Sequence, residues 1–166
     1  MKKGMEEKTP SSTAIHDHTY RIFPNDLNAQ GTVFGGLIMA EADRLAHIVA
    51  ERHSGRICVT ASVDSIQFYA PAGHGDNLIF KSSINRAWHT SMEVGVKVMA
   101  EERTTMKRKH IVTAYMTFVA LDEHGKPTAI PPVAPKSDVE KRRFEEAQRR
   151  REIRLSFKKN PKKGSQ

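Results

Sequence analysis

Residues 34–55 read FGGLIMAEADRLAHIVAERHSG, and their pattern decides the architecture. No proline interrupts the run, and glycines open and close it. At helical spacing Phe34, Ile38, Leu45 and Val49 share one face. Met39, Ala42, Ala46 and Ala50 widen it, and Leu37 and Ile48 lie beyond its other edge. Apolar residues thus cover most of the circumference, so a helix over about Phe34–His53 must be buried on most sides. Its polar residues Asp43, Arg44, His47 and Glu51 form a single stripe.

On either side of this segment the pattern has a period of two. Thr19–Phe23 reads as a short strand stopped by Pro24, and NDLNAQG (25–31) as a turn-rich loop. Ile57–Tyr69, Asn77–Trp88, Ser91–Glu101 and Lys109–Leu121 are rich in β-branched and aromatic residues, and Val94, Val96 and Val98 alternate as a half-buried strand should. A strand, one long helix and four consecutive strands make an α+β arrangement. A curved antiparallel five-stranded sheet wrapped around the helix would supply the cover it needs. One such unit leaves a sheet edge and part of a face open, which predicts a dimer.

Composition bounds the function. The chain has 166 residues, 38% of them hydrophobic, enough for one sizeable core. No apolar run approaches the roughly 18–20 residues that cross a bilayer. The N-terminal lysines precede no apolar segment, so a signal peptide is not expected and a cytoplasmic location is. Cys58 is the single cysteine, and the eight histidines are scattered, so no metal site is expected. The net charge of +8 sits mostly beyond Lys136. There, Ser137 and Glu140 form a capping box for a helix from about Asp138. Val139, Phe144 and Ala147 are expected to dock it, leaving its arginines solvated. No basic strand interleaved with aromatics and no helix-turn-helix signature supports nucleic-acid binding.

Four motifs, GTVFGGLIMAEAD (31–43), VTASVDSIQF (59–68), TSMEV (90–94) and LDEHGKPTAIPPVAP (121–135), occur in order. Together they resemble the cytosolic acyl-CoA thioester hydrolase family over roughly residues 16–150. The resemblance implies a hot-dog fold plus a C-terminal helix. It divides the chain into a flexible leader (1–15), a hot-dog thioesterase domain (16–135), and a basic C-terminal helix with a disordered tail (136–166). It also implies hydrolysis of acyl-CoA to free fatty acid and coenzyme A without a separate cofactor, in a dimer or trimer of dimers, with no nucleic-acid or membrane partner.

The implied site falls on particular residues. The glycine pair before the helix matches Gly35 and Gly36, whose amides would polarise the thioester carbonyl. The catalytic aspartate matches Asp43, as general base or nucleophile. The family's Asn/Asp position just after the preceding glycine is Thr32 here, a departure that leaves the base chemistry to Asp43. Thr90 and Ser91 match a coenzyme A-binding motif, with Arg86 and His89 as nearby donors. His47, one turn from Asp43, is expected to hydrogen-bond it. The alternative is a hot-dog protein that binds acyl-CoA without hydrolysing it.

Overall fold

The computed structural model describes residues 5–159. Its elements run β1 (Ile15–Arg21), α1 (Gly35–Ser54), β2 (Ile57–Phe68), β3 (Asn77–Ala87), β4 (Ser91–Glu101), β5 (Arg108–Leu121) and α2 (Asp138–Lys159). The strands form one antiparallel sheet in the order β1-β3-β4-β5-β2. Its concave face holds α1, which buries Ile38, Ala42, Leu45, Ala46, Val49 and Ala50. Small side chains let the helix lie close to the strands. The facing residues alternate as period two requires: Met92, Val94, Val96 and Val98 on β4, and Val112, Ala114, Met116 and Phe118 on β5. Gly55 ends α1 in the left-handed region (φ 66°), its N–H donating to Glu51 O at 2.8 Å.

The strand predictions hold within one or two residues, except at β1. That strand begins at Ile15, four residues before the predicted Thr19, and reaches through HDH. It lies at an edge with mostly exposed side chains, so it has no apolar alternation to read. The leader is also less free than expected. Lys8 Nζ donates to Arg52 O (3.0 Å) and His53 O (2.8 Å), capping the C-terminus of α1. Its backbone bonds to Pro132 and Ala134, and Pro10 and Thr13 are buried. Residues 1–4 and the expected tail beyond residue 159 lie outside the described residues.

The helix α2 crosses the convex face, and its sequence assignment needs correction. The capping box is present: Ser137 Oγ accepts from Glu140 N at 3.2 Å, and Glu140 accepts from Ser137 N at 2.9 Å. Ala147 is buried and Phe144 half-buried, but Val139 is exposed, and the arginines do much of the docking. Arg150 grips the fully buried Glu93 with two bonds of 3.0 and 2.8 Å and lies 3.7 Å over the Tyr115 ring. Arg151 lies 4.5 Å over Trp88. The convex face carries acids and aromatic rings, and long arginine stems meet both. Asn85 also donates to Glu93 at 2.8 Å, and the absence of a side chain at Gly95 makes room for that amide.

Arg150→Ala leaves Glu93 buried without its counter-charge. We expect a loss of about 3–5 kcal/mol in urea unfolding. A loss below about 1 kcal/mol would show that this pair does not hold the helix.

His53 sets a pH dependence. It is buried, and its Nε2–H donates to Pro131 O at 2.8 Å. Burial pushes its pKa below the ordinary histidine value; Lys8 adds to this, and the Pro131 carbonyl opposes it. The unfolded chain therefore takes up a proton near pH 6.5 that the folded chain takes up only at lower pH. Stability is full above about pH 6.5 and falls as pH drops towards the folded pKa. We expect Tm to fall between about pH 7 and 5, and less steeply in His53→Gln. An equal slope in both would assign the acid sensitivity to other groups.

Candidate active site

The sheet of one chain covers only part of α1. Phe34, Met39 and Ile48 remain 57%, 42% and 40% exposed. Asp43 lies on this uncovered side, half-buried. Its partner comes from β2: Thr60 Oγ1 donates to Asp43 Oδ1 at 2.8 Å. Thr60 sits opposite the core residue Phe118 in the ladder, so it faces α1. No cation pairs with Asp43 among the described residues. His47 does not bond Asp43 as expected; it pairs with Glu51 at 3.2 Å and meets the edge of Phe118. On a helix i,i+4 partners exist in both directions, and here the C-terminal one wins.

A second group gathers at the N-terminus of α1. The chain turns tightly at Gly31 (φ 75°), with Asn28 N donating to Thr32 O at 2.8 Å and Gly31 N to Asn28 O at 3.0 Å. This folds Asn28 onto Thr32. Asn28 Oδ1 accepts from the amides of Gln30 (3.0 Å) and Thr32 (3.2 Å), and the Thr32 hydroxyl lies 3.0 Å from Asn28 Nδ2. Beside them a cleft of about 420 Å³ is lined by Asn28, Thr32, Gly35, Ile38, Phe68 and Tyr69 among others. Among the described residues no side chain caps the helix, so its first amides carry no side-chain cap there. The Phe34 ring folds over Gly36, where a Cβ would sit 2.3 Å from it. That glycine is required by its own neighbour.

The hairpin residues form a third group, separate from both. The Thr90 carbonyl accepts from Ala120 N on β5, and the His89 carbonyl accepts from Ile130 N in the loop that follows it, at 3.0 Å each. The sequence reading placed Arg86 among the coenzyme A donors, but its guanidinium is engaged elsewhere. It donates to Phe144 O at 3.2 Å and lies 4.0 Å over the Phe144 ring. In the ladder, Thr60 is level with Phe118, Met92 and Ala87, so the hairpin stands at the Asp43 end of the sheet.

Sequence reasoning missed Asn28 and Thr60. Asn28 sits in a loop whose composition already marked it as a turn residue, and Thr60 looks like any strand-forming threonine. No cluster of His, Cys, Asp or Glu able to hold a metal occurs among the described residues. Cys58 is buried, and burial pushes its thiol pKa up, which disfavours it as a nucleophile. No helix there is long and apolar enough to cross a membrane.

Comparison with known proteins adds to this geometry. The thioesterase superfamily profile matches residues 30–107. An uncharacterized acyl-CoA thioester hydrolase of Bacillus subtilis, YkhA, is 43% identical over 74% of this chain and 71% of its own. The acyl-CoA hydrolase of Staphylococcus aureus, solved with butyryl coenzyme A, coenzyme A and coenzyme A disulfide, is 37% identical, with a TM-score of 0.88 over 95% of each chain. It has also been solved as Asp43Ala, Thr60Ala and Asn28Ala variants in its own numbering, and the same residue types stand at those numbers here. A hexameric acyl-CoA thioesterase is 35% identical with a TM-score of 0.88, covering 92% of this chain and 97% of its own.

Proposed function

Because the chain belongs to the acyl-CoA thioester hydrolase family, within the thioesterase superfamily, we propose that it hydrolyses acyl-CoA to a free acid and coenzyme A with Asp43 as the catalytic carboxylate. The observation that carries this reading is the Thr60–Asp43 hydrogen bond on the uncovered side of α1. Thr60 fixes one carboxylate oxygen and leaves the other for a water or for the substrate. As a base, Asp43 takes a proton from water as the water oxygen attacks the thioester carbon. The tetrahedral intermediate then expels the coenzyme A thiolate. As a nucleophile, Asp43 attacks the carbon itself, coenzyme A leaves as its thiolate, and water hydrolyses the resulting anhydride to the free acid and the Asp43 carboxylate.

The developing oxyanion needs donors, and the Gly35 and Gly36 amides with the Asn28 side-chain amide supply them in this proposal. Asn28, with Thr32 holding it, takes the place that the sequence reading gave to Thr32 alone. Seven residues of helix separate Gly36 from Asp43, roughly 10 Å along the axis. One thioester cannot touch both in the same chain. We therefore assign the site to a dimer in which Asp43 of one copy works with the glycine turn of the other. The hexameric relatives support assembly at least that large, and a trimer of dimers is part of this proposal. Thr90, Ser91 and His89 remain proposed contacts for the coenzyme A arm, and a cytoplasmic location is part of the same reading.

Thiol release from a panel of acyl-CoAs tests the function. We expect turnover by the wild-type chain, and losses of about 10- to 100-fold for both Thr60→Ala and Asn28→Ala. No thiol release from any chain length would overturn the proposal in favour of acyl-CoA binding without hydrolysis.

A further inference from the structure

β2 carries two register shifts only a few residues apart. Thr60 pairs with Phe118 and Ser62 with Thr117, then Val63 with Met116 and Ser65 with Tyr115. Ala61 and Asp64 are therefore extra residues, each a β-bulge. Opposed residues in a ladder share a face. Thr60 lies with Phe118 on the α1 side, whereas Ser62 lies with Thr117 on the α2 side. In an unbroken strand, Ser62 and Asp64 would share the face of Thr60. The bulges instead send Asp64 to the convex side, where its side chain is 8% exposed.

There, α2 meets it. Arg154 Nη1 binds Asp64 Oδ2 and donates to Thr117 Oγ1 at 2.7 Å. Thr117 Oγ1 also donates to Asp64 at 3.0 Å, and Ser62 Oγ donates to its other oxygen. The bulged stretch of an edge strand is thus fixed from outside by a charge on another element. Its first bulge follows directly on Thr60, the residue that holds Asp43.

We infer that Arg154 and Asp64 are positioning residues for hydrolysis: α2 fixes the β2 bulges through this pair, and the bulges aim Thr60 at Asp43 across the sheet. The inference rests on the reading of Asp43 as the catalytic carboxylate.

A double-mutant cycle tests it. Arg154→Ala is expected to lower kcat about tenfold with KM within about twofold, and Asp64→Asn to do the same. Arg154→Lys keeps the charge and should recover part of the loss. In a Thr60→Ala background, Arg154→Ala should cost nothing more, because the path it acts through is already cut. Arg150→Ala is the control: it breaks another α2–sheet ion pair, away from β2, and should retain kcat when assayed well below its Tm. Unchanged kcat in Arg154→Ala would overturn the inference. So would a full additional loss in the Thr60→Ala background, or an equal kcat loss in Arg150→Ala. Thr60→Ala at the wild-type rate would instead overturn the Thr60–Asp43 reading on which the inference stands.

Discussion

Asp43→Ala is expected to lower kcat for every acyl-CoA tested by about a thousandfold or more, with Tm within a few degrees of the wild type. The rate effect follows from what the site lacks. A general base contributes about 10²- to 10⁴-fold, and neither Asn28 nor Thr32 at the helix N-terminus can accept a proton at neutral pH. The small stability effect follows from position. Asp43 is half-buried on the open side of α1 and makes no ion pair among the described residues, so its loss frees one exposed threonine hydroxyl and creates no core cavity. Asp43→Asn separates charge from shape. It still accepts the Thr60 hydrogen bond but cannot act as base or nucleophile, so it should be as slow as the alanine variant. Near-normal thiol release by either variant across several chain lengths would remove Asp43 from the mechanism.

The fold was legible because its signals are periodic. The α1 pattern demanded cover on most sides, and the valines of β4 showed which face of the sheet gave it. Phe34, Met39 and Ile48 stay exposed in one chain, and the proposed second copy would supply the cover they lack. In the candidate site a motif pointed to Asp43 and the glycine pair, whose catalytic roles are proposals. Thr60 and Asn28 act through contacts made by the fold, one from a strand 17 residues on and one through an Asn-centred turn. Neither contact leaves a period to detect, and the composition around Asn28 marks only a turn. The docking of α2 was misread for a related reason. An arginine-rich helix looks solvated until the opposite surface is known to present Glu93, Asp64 and Tyr115.

Val63→Glu is expected to reduce the protein to single chains and to remove nearly all turnover. Among the described residues β2 is an edge strand paired only with β5, and on its α1 side it presents Val63 and Phe68 to solvent at 52% and 49% exposure. Val63 lies on the α1 side, close in the strand to Thr60. An unpaired edge of this kind, beside the uncovered side of α1, is the surface the proposed dimer would cover. In a two-fold interface each substitution occurs twice, so two glutamates would be buried in it without counter-charges. Each such burial costs several kcal/mol, enough to dissociate the pair at assay concentrations. Light scattering reads the mass and thiol release reads the rate; a Val63→Glu protein of unchanged mass and rate would place the interface elsewhere. Complementation then tests whether the site is shared. Asp43→Ala and Asn28→Ala chains, each slow alone, should recover about a quarter of wild-type activity when refolded together. Half of the random dimers are mixed, and one of the two sites in each is intact. A site contained within one chain would recover nothing on mixing.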